Sequence, residues 1–210
     1  MAVHEFTQQL KKYITARLNE PNDAIIVTGM PAENDRHDIL VMTSYAAFKV
    51  PRPGYQTTFQ TYLHRDPPGP GEGFIVNGNR PVDVSRQLQQ WEELKKSCRD
   101  TAYLTPYLVE TFASGKGKHT KQLRLLWADP HTIWIDTDIL NTVDVRWGEM
   151  KAAATDKAPV YFQSANIEAF FLPWNRWKEY ERSDNALLAQ EAALAKAWWH
   201  ERKKAGTRQG

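Results

Sequence analysis

The sequence predicts an α+β fold: an antiparallel or mixed sheet packed by three to four helices, with a long C-terminal helix. Three observations lead there. The elements run helix, strands, helices, strands, helices, which is not the strand–helix alternation of a parallel α/β protein. Apolar spacing changes along the chain between helical stripes and short strand-like runs. The 210 residues also show no internal repeat of fixed period. They read as one domain over 1–210. The other division is an N-terminal α/β-hairpin lobe over 1–80 and a C-terminal α+β lobe over 81–210.

Residues 4–19 carry Phe6, Leu10, Tyr13, Ile14 and Leu18, the spacing of an amphipathic helix that stops before Pro21. Asp23 to Gly29 reads as a buried strand and Asp38 to Thr43 as its neighbour. After a turn at Pro51-Arg-Pro-Gly54, the loose alternation in Thr57 to Leu63 predicts a third strand. The run Asp66-Pro-Pro-Gly-Pro-Gly-Glu-Gly73 breaks any helix or central strand, because proline lacks the amide donor. It reads as a long hairpin tip returning through Gly73 to Asn77, with a domain linker as the alternative.

Asp83 caps a second helix with Val84, Leu88, Trp91, Leu94 and Cys98 on one stripe. Thr105-Pro106 opens a shorter third helix ending near Gly115. Strands follow at 122–127, 132–136, 160–163 and 167–172, the last two joined by a turn at Ser164-Ala-Asn166. Val145 to Thr155, with its alanine run, reads as a short helix. Residues 174–204 are helical in composition, broken at Ser183-Asp-Asn185 before a final helix from Ala186.

Composition narrows the function classes. With 27 Lys plus Arg against 25 Asp plus Glu, the formal charge is +2, far from that of a dedicated duplex-DNA binder. No apolar run is long enough to span a bilayer, so no membrane partner is expected. One cysteine, Cys98, forms no internal disulfide, and the polar N-terminus shows no signal-peptide core; both suit the cytoplasm. Of the eight tryptophans, seven lie between Trp127 and Trp199.

Three constellations carry candidate functions. Trp174, Arg176, Trp177 and Trp199 supply aromatic and basic anchors of the kind found at protein interfaces. They predict a non-enzymatic interaction module that binds a protein partner, with self-association as one form. Burial of the same tryptophans against the sheet is the competing reading.

The basic residues Lys116, Lys118, Lys121 and Arg124, with Arg202, Lys203 and Lys204 beside Trp198 and Trp199, form the second constellation. They suit phosphate contacts and base stacking on single-stranded nucleic acid.

In the third, Asp136 and Asp138 stand two apart, with Glu149 and Lys151 further on. Paired carboxylates on one strand face suit Mg²⁺. An Asp followed at a distance by Glu-x-Lys resembles the metal-dependent nucleases of the restriction-endonuclease-like fold. That resemblance implies carboxylates on the metal and a lysine that positions water. It covers about fifteen residues, and here Gly148 precedes the Glu-x-Lys where the pattern has an apolar strand. Outside this alternative no cofactor is expected. The other reading makes Asp136 and Asp138 turn formers and caps.

Overall fold

The computed structural model describes residues 2–20, 23–31, 37–78, 80–112, 120–128, 131–154, 159–165, 167–174, 193 and 197. Sheet dominates it. Strands β1 (Ile26–Gly29), β2 (Asp38–Met42), β3 (Ala46–Pro51), β4 (Gly73–Ile75), β5 (Arg80–Pro81), β6 (Asp100–Thr101), β10 (Glu149–Ala152), β11 (Val160–Gln163) and β12 (Glu168–Phe171) form one nine-stranded sheet. Its order is β5-β4-β1-β2-β3-β12-β11-β10-β6, and every pairing is antiparallel. A second sheet has the order β7 (Tyr103–Phe112), β8 (Thr120–Ala128), β9 (His131–Asp136). The main sheet therefore takes strands from both sides of residue 80.

The predicted helix-packed α+β fold is corrected accordingly. Among the described elements the helices are α1 (Ala2–Leu18), α4 (Ser85–Ser97) and shorter turns, and a long C-terminal helix is not one of them. That expectation lies on residues outside those described, apart from single positions.

Three further expectations change, each for a physical reason. Thr57 to Leu63 is not a strand. The chain winds through α2 (Arg52–Tyr55), a π turn (Gln56–Gln60) and α3 (Thr61–Leu63). Prolines 51 and 53 start this helix rather than making a turn, and Tyr55, Phe59 and Leu63 are buried at a spacing of four. Residues 105–112 are strand rather than helix: the β-branched and aromatic run Tyr-Leu-Val-Glu-Thr-Phe outweighs Pro106, which falls where the β7–β8 register shifts. Residues 145–152 are a 3-10 turn (Val145–Trp147) followed by β10 rather than a helix, because Met150 and Ala152 alternate inward as a strand requires.

The main sheet is covered on both faces, so its central strands carry apolar residues on successive positions. One face places Val27, Val41, Phe48, Phe162 and Phe171 in the larger core, with Leu10 and Ile14 of α1, Phe59, and Leu126, Ile133 and Ile135 of the second sheet. The other face carries Leu40, Tyr161 and Phe170 under Trp91 and Cys98 from α4 and its end. Trp91 meets Phe170 edge-on at 4.8 Å. Here Leu88, Trp91, Leu94 and Cys98 of the expected stripe pack together, whereas the cap position falls on Val84 rather than Asp83; Asp83 precedes it and accepts from the Ser85 amide and hydroxyl.

The Pro-Gly segment is docked rather than free. Gly71 N–H donates to the Gly29 carbonyl, Gly29 N–H to that of Glu72, and His37 Nε2 meets the Pro68 carbonyl at 2.7 Å. Gly73–Ile75 pairs with β1, not with 57–63.

Candidate interaction surface

The register brings one row of side chains across the α4 face: Ile75, Ile26, Met42, Ala47 and Phe170 are successive cross-strand partners. Phe170 is buried beneath Trp91, whereas Ile75, Ile26, Met42 and Ala47 are only half-buried. Ile26 and Ile75 join neither core cluster.

At the end of the sheet, beside this row, stand Tyr45 and Leu172. They are 46% and 42% exposed, and among the described residues they are the large hydrophobics left open to solvent. The Leu172 amide donates to the Tyr45 carbonyl at 2.9 Å, continuing the β3–β12 ladder by one step. Sequence patterning did not single them out, because an exposed Leu or Tyr has no periodic signature of its own.

Arg17, at the end of α1, borders this pair. Its guanidinium lies 5.4 Å from the Tyr45 ring centre and 5.6 Å from that of Tyr13. It also sits 3.9 Å from the buried Asp23 carboxylate, which accepts from the Ser44 amide and hydroxyl. Burial pushes the Tyr13 phenol up to about 12, against the opposing pull of its Thr43 hydrogen bond and Arg17. The flanking charge is thus held in a fixed aromatic sandwich, where a cation gains from the ring quadrupoles.

A polar cluster lies on the α4 face. Glu168 accepts from Lys49 at 2.9 Å, from Lys95 of α4 at 2.6 Å and from the Tyr161 hydroxyl at 2.5 Å. Lys49 also pairs with Asp38 at 3.3 Å. Partial burial alone would raise the Glu168 acid, but these three donors hold it down to about 2. Burial and the hydrogen bond to Glu168 push the Tyr161 phenol well above its ordinary range. With its carboxylate committed to three donors, the cluster clamps α4 to the sheet rather than presenting a reactive group.

The residues nominated from sequence fall as follows. Trp174 is half-buried against Leu123, Leu125 and Trp134, and its amide donates to the Trp134 carbonyl at 2.8 Å. Arg176, Trp177, Trp199, Lys116, Lys118, Arg202, Lys203 and Lys204 lie outside the described residues. Lys121 pairs with Thr111 along β8, and Arg124 is half-buried on the same strand.

Asp136 is buried at the end of β9 and caps α5 (Thr137–Leu140) by accepting from the Asp138 amide; Asp138 is exposed. Glu149 and Lys151 share the α4 face of β10, one exposed and one half-buried. Among the described residues no group of three His, Cys, Asp or Glu is placed to hold a metal ion. Asp136→Ala is expected to cost about 1 kcal/mol through loss of the cap, read from the urea midpoint; an unchanged midpoint would contradict the capping role.

No helix among the described residues is long and apolar enough to cross a membrane. Compared with protein families, curated proteins and solved structures, the chain matches none.

Proposed function

We propose that the protein is a non-enzymatic interaction module that binds a protein partner at the Tyr45–Leu172 end of the main sheet. The exposure of this pair, joined through the backbone and bordered by Arg17, is the observation that supports the reading. Aromatic and aliphatic side chains beside an arginine are the composition of interface anchors. The half-buried row from Ala47 to Ile75 extends the apolar area, and the chain continues from Leu172 into Trp174, Arg176 and Trp177. Affinity would come from desolvating the apolar pair, with Arg17 fixing orientation. We place this activity in the cytoplasm, where a lone buried thiol such as Cys98 stays reduced.

A photo-crosslinking residue at position 172 tests the reading. It is expected to give one discrete protein adduct that excess unlabelled wild-type chain competes away and Tyr45→Ser reduces about tenfold. The same probe at Glu92, on the exposed side of α4, should give none. Equal labelling from both positions, or labelling indifferent to Tyr45→Ser, would count against it.

A further inference from the structure

One face of the small sheet, with Leu126, Ile133 and Ile135, points into the larger core. By alternation, Leu123 and Leu125 of β8 and Trp134 of β9 stand on the opposite face, where Leu125 and Trp134 are cross-strand partners. That outer face is as dry as the core: Leu125 is 0% exposed, Leu123 3% and Trp134 9%. An antiparallel sheet without a cover leaves its outer face in water, so burial of this degree requires a further layer.

Among the described residues, the side chain packed on these three is Trp174. It is itself half-buried, and one indole is too small to shield a face of three strands. The cover therefore comes from elsewhere in the chain. Residues 113–119 close the β7–β8 hairpin at one end of the sheet and are seven in number, too few to lie across it. The stretch from Trp174 to Gly210 is long enough. It also starts in the right place, since the Trp174 amide donates to the Trp134 carbonyl at 2.8 Å and brings the chain to the outer edge of β9.

Within that stretch Ala193 and Ala197 are helical and exposed. At about 100° per residue, the side opposite them carries Leu188, Ala192, Ala195 and Trp199. That is the i, i+4, i+7, i+11 stripe of a packed helix, with Trp198 and Glu191 at its border. On such a helix Leu188 and Trp199 stand about 16 Å apart, enough to cross three strands about 4.8 Å from one another.

We propose that residues 186–199 dock through this stripe on the outer face of the small sheet, as a separate third layer against Leu123, Leu125 and Trp134. Trp199 then packs inward instead of serving as a free anchor. Tyr45 and Leu172, at the end of the main sheet, play no part in this contact.

Thiol labelling of the full chain tests the docking. Leu123→Cys places a reporter beneath the stripe. Cys98, buried on the far face of the main sheet, reports whether that sheet stays folded. Both thiols should react slowly with N-ethylmaleimide. Adding Leu188→Asp should speed labelling at position 123 about tenfold and leave Cys98 unchanged, because the layer lifts by local opening. Ala193→Asp, on the exposed side, should alter neither rate. Labelling at 123 that is indifferent to Leu188→Asp overturns the proposal, as does equal acceleration by Ala193→Asp. Acceleration of both thiols together rules out a separate layer. Protection at 123 that fades on dilution overturns it in favour of a segment from a second copy.

Discussion

Gly29→Ala is expected to destabilise the protein by about 3 kcal/mol, at the upper end of the range for overpacking a tight site. A Cβ at position 29 would lie 2.2 Å from the Gly69 carbonyl oxygen, 2.7 Å from its carbon and 2.9 Å from the Pro68 oxygen. All three are backbone atoms, so no side-chain rotation relieves the clash. The Pro-Gly segment must move away from β1, and its hydrogen bonds through Gly71, Glu72 and His37 go with it. The denaturant midpoint should fall with little change in slope, the mark of lost stability in a two-state transition. Gly71→Ala is the matched control. It has open space around it but a φ of +75°, so it should cost about 1 kcal/mol from backbone strain alone. Equal losses at the two glycines would show that contact with Gly69 is not what matters.

Glu168→Gln is expected to cost about 2 kcal/mol at neutral pH. The substitution leaves Lys49 and Lys95 without their shared anion. Both ammonium groups keep some water contact, so the loss is less than that for a fully buried pair. The pH dependence is the sharper test. The folded acid is depressed from 4.5 to about 2, so its contribution is complete above about pH 4.5 and is lost as pH falls toward 2. Lys49 is raised above 10.5: burial opposes the charge, but the hydrogen bond to Glu168, the Glu168 charge and Asp38 outweigh it. Its contribution is therefore present below 10.5 and fades as pH climbs through the raised value. Wild type should lose stability between pH 4.5 and 2 more steeply than Glu168→Gln. Parallel acid limbs in the two proteins would mean that Glu168 is not held by its lysines.

Several elements were legible because their cause is local. The stripe Leu88, Trp91, Leu94 and Cys98 marks α4, and Ser164 closes the β11–β12 turn by donating from its amide to the Ile167 carbonyl. Phe59 and Leu63 misled because residues four apart fit both a strand face and a helix stripe, and tertiary burial decided between them. The alanines at 152 and 153 misled in the opposite direction. Favourable helix formers, they serve here as small residues at and beyond the end of β10, one packed toward each core. The clamp on Glu168 was illegible in principle. Lys49 and Glu168 stand 119 residues apart, and nothing in either neighbourhood announces the other. Tyr45 and Leu172 share that difficulty, since their adjacency exists only once β3 and β12 are zipped. Trp174 stands out in the sequence by residue type alone, and its contact with Leu123, Leu125 and Trp134 reflects a strand arrangement beyond the reach of local spacing.

The zipping of β3 to β12 also has a consequence for synthesis. The N-terminal strands β1 to β5 are complete once residue 81 has emerged, yet β3 stays an open edge until Phe171 follows. Such long-range closure is entropically late and slow. A nascent chain stalled between those points would display the backbone of Ala46–Lys49 to whatever strand comes near. The stretch of translation between β5 and β12 is therefore when this protein most needs shelter.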